Sequence, residues 1–167
     1  MLAAFGVALA KALPRHRLVI LGTMLVTLFG LGVAAFGVIS CDPGCPQTGG
    51  SVENLIHNRI APIPFVCFIV GAGILGIHFR SLPAWRPLSV YSLLTSAVAV
   101  CFLGALASSL ESRALAGLWQ RLLLATLFLW CAVIGLRAFR HPTPHRSPSN
   151  NGMQPTRQRP RAAERER

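Results

Sequence analysis

The sequence predicts an all-α, multi-pass membrane protein built as a four-helix transmembrane bundle. Three observations predict this class: 53% of the 167 residues are hydrophobic, only 13% are charged, and the mean hydropathy is +0.55. Soluble domains carry roughly 25% charged residues, about twice the share found here. The composition therefore excludes an ordinary soluble enzyme. Nucleic-acid binding is also disfavoured, although the net charge is +11, because the basic residues lie between and after long uncharged runs.

Four segments are long and apolar enough to cross a bilayer. A helix needs about 20 apolar residues to span the hydrocarbon core, and its backbone must bond within the segment. The expected spans, which together form a transmembrane domain over 18–139, are 18–39, 60–79, 88–110 and 118–139. Pro62 and Pro64 mark the start of the second span, where amide hydrogens have no intrahelical acceptor. Arg121 and Arg137 flank the fourth, and such long side chains reach the headgroups.

The distribution of basic residues predicts that both termini are cytoplasmic. Cytoplasmic flanks are enriched in lysine and arginine. Close to the spans, seven basic residues fall on one side and three on the other, namely Lys11, Arg15, Arg17, Arg80, Arg86, Arg137 and Arg140 against Arg59, Arg113 and Arg121. The outer loops are then 40–59 and 111–117. We expect the protein in the plasma membrane, the inner membrane of a bacterium.

The two ends of the chain differ from the spans. Segment 1–17 is expected to be a cytoplasmic or interfacial N-terminal segment. Its first 13 residues are apolar but too short to span, which suits a helix lying in the interface or the end of a longer helix. Segment 140–167 has almost no aliphatic residues and is expected to be a disordered, basic cytoplasmic tail close to anionic lipid.

The first outer loop contains a cysteine pair. Cys41 and Cys45 bracket Asp-Pro-Gly, a tight-turn sequence, so their side chains can approach one another. A structural disulfide is one interpretation, and unpaired thiols, metal binding and thiol exchange are the others. The pair is separated by three residues, where redox pairs usually have two, and a zinc site lacks a second histidine. His57 and His78 would be about 31 Å apart along a helix, too far to share a haem. We expect no metal or cofactor.

Polar residues near the outer ends of the spans form a candidate cluster. Its proposed members are Asp42, Glu53, His57, Asn58, Arg59, Gln120 and Arg121. The plainer interpretation is a polar start of the second helix, capped by Asn54 or Asn58. Arg121 is costly in hydrocarbon, so it must rise to the interface or pair with an acid. The outer acids are Asp42, Glu53 and Glu111.

Several short motifs follow one another in a characteristic order. They are Cys41-Asp42-Pro43-Gly44-Cys45, Gly49-Gly50-Ser51, Leu55-Ile56-His57-Asn58, Arg86-Pro87-Leu88 with Tyr91-Ser92, and Gly117-Leu118-Trp119-Gln120-Arg121-Leu122-Leu123 with Trp130. Over 6–139 the chain resembles the later part of the bacterial and archaeal domain of unknown function 998 family, integral membrane proteins usually predicted with six helices. The resemblance implies a membrane topology and no activity, ligand or catalytic residue. It also implies that the family's first two helices are missing and that 1–13 corresponds to the end of the second.

These observations favour a non-enzymatic membrane protein that is structural or binds a small ligand or a lipid at the outer mouth of the bundle. One alternative is a membrane thiol–disulfide or other redox protein that uses Cys41 and Cys45. Another is a subunit of a larger transporter complex. The expected partners are the lipid bilayer and another membrane protein or a second copy of the chain, with no nucleic acid.

Overall fold

The structure, a computed structural model, describes residues 1–112 and 114–140 and contains six α-helices and no strand within them. The helices are α1 (Leu2–Ala12), α2 (Arg17–Ala35), α3 (Val52–Ile60), α4 (Pro62–Phe79), α5 (Pro87–Ser109) and α6 (Ala116–Arg140). Four segments have the length and apolar composition of a membrane span: α2, α3 with α4 as Val52–Phe79, α5, and α6. The all-α fold with four candidate spans is confirmed. Arg113 and the predicted tail beyond Arg140 lie outside the described residues.

The helices begin where local chemistry satisfies or removes free amide hydrogens. His16 precedes α2, and its Nδ1 accepts the Leu18 amide at 3.2 Å. Prolines occupy the first turn of α4 and of α5, where no intrahelical acceptor exists for the missing N–H. The second helical segment starts earlier than the sequence predicts, because α3 precedes Pro62. Part of the predicted outer loop is therefore helical.

The helices form a ring in which α2 packs on α4, α4 on α5, α5 on α6, and α1 on both α2 and α6. Two glycines of the pairing helices let α1 approach α2 closely: Gly6 lies against Thr27, and a Cβ on Gly30 would overlap the backbone of Ala3. Helix α1 therefore lies alongside the middle of α2. This packing favours a helix inside the bundle over one lying on the membrane surface.

Aromatic side chains fill the centre of the ring. Trp130 of α6 and Phe68 of α4 are fully buried, with ring centroids 5.2 Å apart in an edge-to-face arrangement. Phe5 of α1 and Phe29 of α2 extend the cluster, at 6.3 Å from Trp130 and 4.9 Å from Phe68. The Trp130 indole Nε1 donates to the Ser92 hydroxyl at 2.9 Å, so its polar atom is paired although it is buried. The core thus joins four helices through one cluster.

Serine hydroxyls on α5 connect this helix to α4. Ser89 donates to the Gly76 carbonyl at 2.7 Å, and Ser96 donates to the Ile69 carbonyl at 2.9 Å. Small residues and hydroxyls of this kind hold membrane helices together, since lipid provides no hydrophobic force between them. The α4–α5 pair therefore has directional contacts that fix its register.

Candidate functional site

The candidate site lies at the end of the bundle where α2 ends, α3 begins and α5 connects to α6, which we call the loop end. The opposite end, where α1, α4 and α6 finish, we call the basic end. The loop end carries the longest connection within the described residues, 36–51, between α2 and α3. This connection and the adjoining face of α3 contain most of the residues that the sequence singles out.

A tight turn brings the two cysteines together. The Cys45 amide donates to the Asp42 carbonyl at 2.7 Å, with Pro43 and Gly44 at the two central positions. Proline fixes φ near −65° and Gly44 has φ +81°, the combination of a type II turn. The Cα atoms of Cys41 and Cys45 are 5.1 Å apart, and their Sγ atoms are at disulfide distance. The Asp-Pro-Gly sequence therefore explains the close approach.

Asp42 ties this turn to the start of α3. Its carboxylate accepts the backbone N–H of Ser51 at 2.6 Å and the Ser51 hydroxyl at 2.8 Å. The Ser51 oxygen in turn accepts the Asn54 amide and caps α3. Both hydrogen bonds favour the charged carboxylate, so they lower the pKa of Asp42 below its ordinary value, against a smaller opposing effect of desolvation. Gly50, at φ +88°, is required here because a Cβ would lie 2.7 Å from the carboxylate.

Asn54 is the most buried polar residue of the site, with 1% of its surface exposed. Its Nδ2 donates to the carbonyls of Pro46 at 2.8 Å and Gly49 at 3.3 Å. Its Oδ1 accepts the Asp42 amide at 3.4 Å. From the sequence, Asn54 is predicted only as a helix cap, a role that Ser51 fills. The signal in the sequence that places Asn54 inside the first turn of α3 is its position three residues after Ser51.

Three more side chains of α3 form hydrogen bonds with the connection. The Asn58 Nδ2 donates to the same Pro46 carbonyl at 2.7 Å. The Glu53 carboxylate accepts the Ser40 amide at 2.9 Å. His57 Nδ1 donates to the Ile39 carbonyl at 2.9 Å, and its ring packs on Phe36 with centroids 4.8 Å apart. One face of α3 therefore bonds to successive points of the connection.

The structure brings only part of the predicted polar cluster together. Asp42, Glu53, His57 and Asn58 share the loop end, but each bonds to Ser51 or to the backbone of the connection and not to another member. Arg59 and Arg121 are exposed. Within residues 1–112 and 114–140, no acid forms an ion pair with Arg121, whose Nη1 lies 3.9 Å from the position that a Cβ on Gly117 would take. His78 lies at the basic end, stacked on His16 at 4.5 Å, far from His57.

A cavity of about 210 Å³ separates the tight turn from the α5–α6 hairpin. Gln120, the seventh member of the predicted cluster, lines this cavity. Its wall consists of Gly44, Cys45, Gln47, Leu106, Leu110, Ala116, Gly117 and Gln120. The wall is mostly apolar, with two side-chain amides and no charged residue. Such a wall suits a small uncharged or amphiphilic molecule.

A second, wholly apolar groove of about 370 Å³ lies between α2 and α4 near the same end. It runs beside Phe36 and is lined by Leu28, Leu31, Gly32, Ala35, Phe36, Ile60, Ile63, Pro64 and Cys67. The contact of Pro64 with Gly32 shapes it, because a Cβ at Gly32 would overlap the proline ring. Its surface suits a lipid acyl chain. Among the described residues, no group of three or more histidine, cysteine, aspartate or glutamate residues is placed to hold a metal ion.

The fold and composition define an integral membrane protein with four apolar helical segments long enough to cross the bilayer. The chain belongs to the family described as "Protein of unknown function (DUF998)", whose family model matches residues 1–137. This confirms the family resemblance carried by the loop, α5 and α6 motifs. No curated protein and no solved structure matches the chain. The membership supports the membrane class and leaves the activity to be argued from the site.

Proposed function

We propose that the protein is a non-enzymatic membrane protein that binds a small uncharged ligand in the cavity at the loop end. The cavity between the tight turn and the α5–α6 hairpin carries this proposal. Ligand pockets for drug-sized molecules are about 300–1,000 Å³. A volume of about 210 Å³ therefore suits a ligand of few heavy atoms, or the neutral headgroup of a lipid.

The arrangement of polar groups supports binding over catalysis. The carboxylates of Asp42 and Glu53 and the ring of His57 are bonded to the connection. None of these three residues lines the cavity. A nucleophile and its base would have to lie within hydrogen-bond reach of each other and of the ligand. The two glutamine amides offer donors and acceptors that orient a neutral molecule.

The test is to fill the cavity and look for a lost ligand. Ala116→Leu adds three carbons at the cavity wall, whereas Gly104→Leu adds a side chain on α5 where nothing lies within 4 Å of a Cβ. Organic extracts of the purified proteins are compared by mass spectrometry. We expect a small neutral compound that copurifies with the wild type and with Gly104→Leu but not with Ala116→Leu. Extracts that are the same for all three proteins contradict the proposal.

We further propose that the loop end faces the outside of the plasma membrane and that both termini are cytoplasmic. Seven lysine and arginine residues of the described chain lie at the basic end, against Arg59 and Arg121 at the loop end. This asymmetry supports the orientation. An outer location also supports an oxidised Cys41–Cys45 pair, since disulfides persist in extracytoplasmic compartments.

Thiol–disulfide exchange is the second candidate function. The observation that favours it is the position of Cys45, half-buried on the cavity wall and at disulfide distance from Cys41. Alkylation of the protein in intact cells, with and without prior reduction, separates the two candidates. A disulfide that stays unreactive supports the binding role. A mixed disulfide with a second protein, trapped by Cys41→Ser or Cys45→Ser, supports exchange.

Association with a second copy or with another membrane protein, such as a transporter complex, belongs to the same proposal. The exposed surface of α5 supports such an association. In the most apolar part of α5 17% of the residues are buried, the lowest share of the four span-length segments, against 44% for Val52–Phe79. Copurification of a tagged and an untagged copy tests self-association. Mass spectrometry of the tagged protein's partners tests the transporter alternative.

A further inference from the structure

The basic end collects cations from five separate helix ends. The end of α1, the start of α2, the end of α4, the start of α5 and the end of α6 all meet there because the chain reverses direction from α1 to α2, α2 to α4, α4 to α5 and α5 to α6. The residues are Lys11, Arg15, Arg17, Arg80, Arg86, Arg137 and Arg140. All except Arg137 are exposed. The result is a continuous rim of positive charge around one end of the bundle.

This rim has no counterion in the part of the chain that the structure describes. The only carboxylates there are Asp42, Glu53 and Glu111, and all three lie at the loop end. Glu53 and Asp42 are engaged by the connection itself. Among the described residues the rim cations therefore repel one another with no acid nearby, and their charge is open to an external anion.

The turn between α4 and α5 fixes the backbone positions of two of these basic residues. Trp85, with 2% of its surface exposed, stacks on Phe79 at 5.1 Å. The amides of Trp85 and Arg86 both donate to the Leu82 carbonyl, at 2.9 and 2.8 Å. Arg80 and Arg86 thus extend from the two ends of a rigid turn.

Arg137 anchors this turn from α6. Its guanidinium donates to the Ala84 carbonyl, and its Nε is buried without a hydrogen-bond partner. A buried, unpartnered N–H on a cation is costly unless an acceptor satisfies it. Guanidinium groups bind phosphate strongly, and Arg137 is joined through Ala84 to the turn that carries the exposed Arg80 and Arg86.

We infer that the basic end is a binding surface for the phosphate headgroups of anionic phospholipids, with Arg80, Arg86 and Arg137 around the α4–α5 turn as its centre. The lipid bilayer is where helices of this composition reside, and anionic headgroups attract basic residues close to the surface. The surface is separate from the cavity at the loop end. It does not depend on which side of the membrane the basic end faces.

Native mass spectrometry of the detergent-solubilised protein tests the inference. The protein is mixed with phosphatidylglycerol and phosphatidylcholine at equal mole fractions, and the bound lipids are counted. We expect a several-fold preference for phosphatidylglycerol that decreases at high salt, because exposed charges are screened. Equal retention of the two lipids overturns the inference. Displacement of the lipid by millimolar inorganic phosphate alone also overturns it, since the rim would then bind a soluble anion.

Charge-matched variants locate the binding. Arg80→Gln/Arg86→Gln should remove most of the several-fold preference, because each basic residue near an anionic surface contributes a factor of about five. Arg59→Gln/Arg121→Gln removes the same charge at the loop end and should leave the preference unchanged. Neither Arg80 nor Arg86 holds a structural side-chain contact in the described chain, so we expect wild-type Tm values. Arg15→Gln/Arg17→Gln provides a second pair at the basic end and should act in the same direction. Equal losses in the basic-end and loop-end variants contradict the inference.

Discussion

Asp42 is the residue that fixes the conformation of the connection between α2 and α3. It takes part in the turn through its backbone carbonyl and in the start of α3 through its carboxylate. The two Ser51 donors lower the pKa of Asp42 below its ordinary value of 3.8. A carboxyl whose folded pKa is lowered stabilises the folded state fully above its unfolded pKa. That contribution is lost as the pH falls through the lowered folded value.

The first prediction concerns this carboxylate. In Asp42→Asn the charged acceptor is lost, so the Ser51 amide should exchange with deuterium several-fold faster than in the wild type at pH 7. The difference should shrink and vanish as the pH falls below the folded pKa of Asp42, because the wild type is then protonated too. Mass spectrometry of peptides covering 40–54, with both proteins compared at the same pH, measures it. Glu111→Gln is the control and should match the wild type. A difference between wild type and Asp42→Asn that persists at low pH would contradict the assignment.

The sequence predicts some contacts of the loop end and misses others. The Asp-Pro-Gly turn is local, so the approach of Cys41 and Cys45 could be predicted from spacing alone. The role of Asn54 could not, because it depends on where the carbonyls of Pro46 and Gly49 point after the chain reverses. Desolvation predicts an ion pair of Arg121 with an acid, whereas within 1–112 and 114–140 the side chain lies exposed on the surface of the bundle with no such pair.

At the scale of elements, the contact between α1 and α2 depends on missing side chains. A Cβ on Gly30 would overlap the backbone of Ala3, which cannot move as a flexible side chain can. By contrast, nothing lies within 4 Å of a Cβ on Gly104 of α5. These two glycines therefore form a matched pair, with one in a tight interface and one on an open surface.

The second prediction uses this pair. Gly30→Ala should destabilise the protein by about 1–3 kcal/mol, as overpacking of a close interface does. Gly104→Ala should be neutral or slightly stabilising, because alanine is the better helix former. Thermal unfolding in one detergent, followed by circular dichroism, gives both values. Equal Tm values for the two variants would contradict the close packing of α1 on α2.

The third prediction concerns the bond between α6 and α5. Trp130→Phe removes the indole donor, and Ser92→Ala removes its acceptor at 2.9 Å. Double-mutant cycles of such bonds between membrane helices give about 0.6 kcal/mol, and we expect a coupling of this size or larger. Trp119→Phe with Ser92→Ala is the control cycle and should give none. A coupling of zero between Trp130 and Ser92 would mean that the bond does not contribute to stability.

The elements differ in how well the sequence predicts them. Helices α2, α4, α5 and α6 could be predicted because length and absence of charge are local properties. The polar composition of α3 predicts a loop, although Ser51 caps this helix and Glu53 and Arg59 suit its two ends. Helix α1 is shorter than a span, and its packing on α2 and α6 places it in the ring.

For the whole molecule, the two ends of the bundle differ in charge and in the roles of their arginines. Arg137 at the basic end bonds to the α4–α5 turn, whereas Arg121 at the loop end has no ion pair within 1–112 and 114–140. Composition predicted the asymmetry of charge. It could not predict that the arginine engaged with the fold is the one at the basic end.

The fourth prediction follows from this difference. Arg137→Leu should lower stability in detergent by about 1–2 kcal/mol, the range for a charged hydrogen bond that is partly exposed. Arg121→Leu should have little effect or stabilise, because it removes a charge beside an apolar segment. The Tm values of both variants in the same detergent decide the order. A larger loss for Arg121→Leu would support the acid pair that the sequence suggested.

The central claim is that apolar helices cross the membrane in alternating directions, and the proposed orientation has the loop end outside and the basic end inside. The most direct measurement is labelling of single cysteines by an impermeant maleimide, in a protein whose five native cysteines are replaced by alanine. Thr48→Cys reports on the connection before α3, and Pro83→Cys reports on the turn between α4 and α5. We expect Thr48→Cys to react in intact cells and Pro83→Cys to react only after permeabilisation. Reaction of both from the same side would contradict the crossing of Val52–Phe79 and with it the whole arrangement.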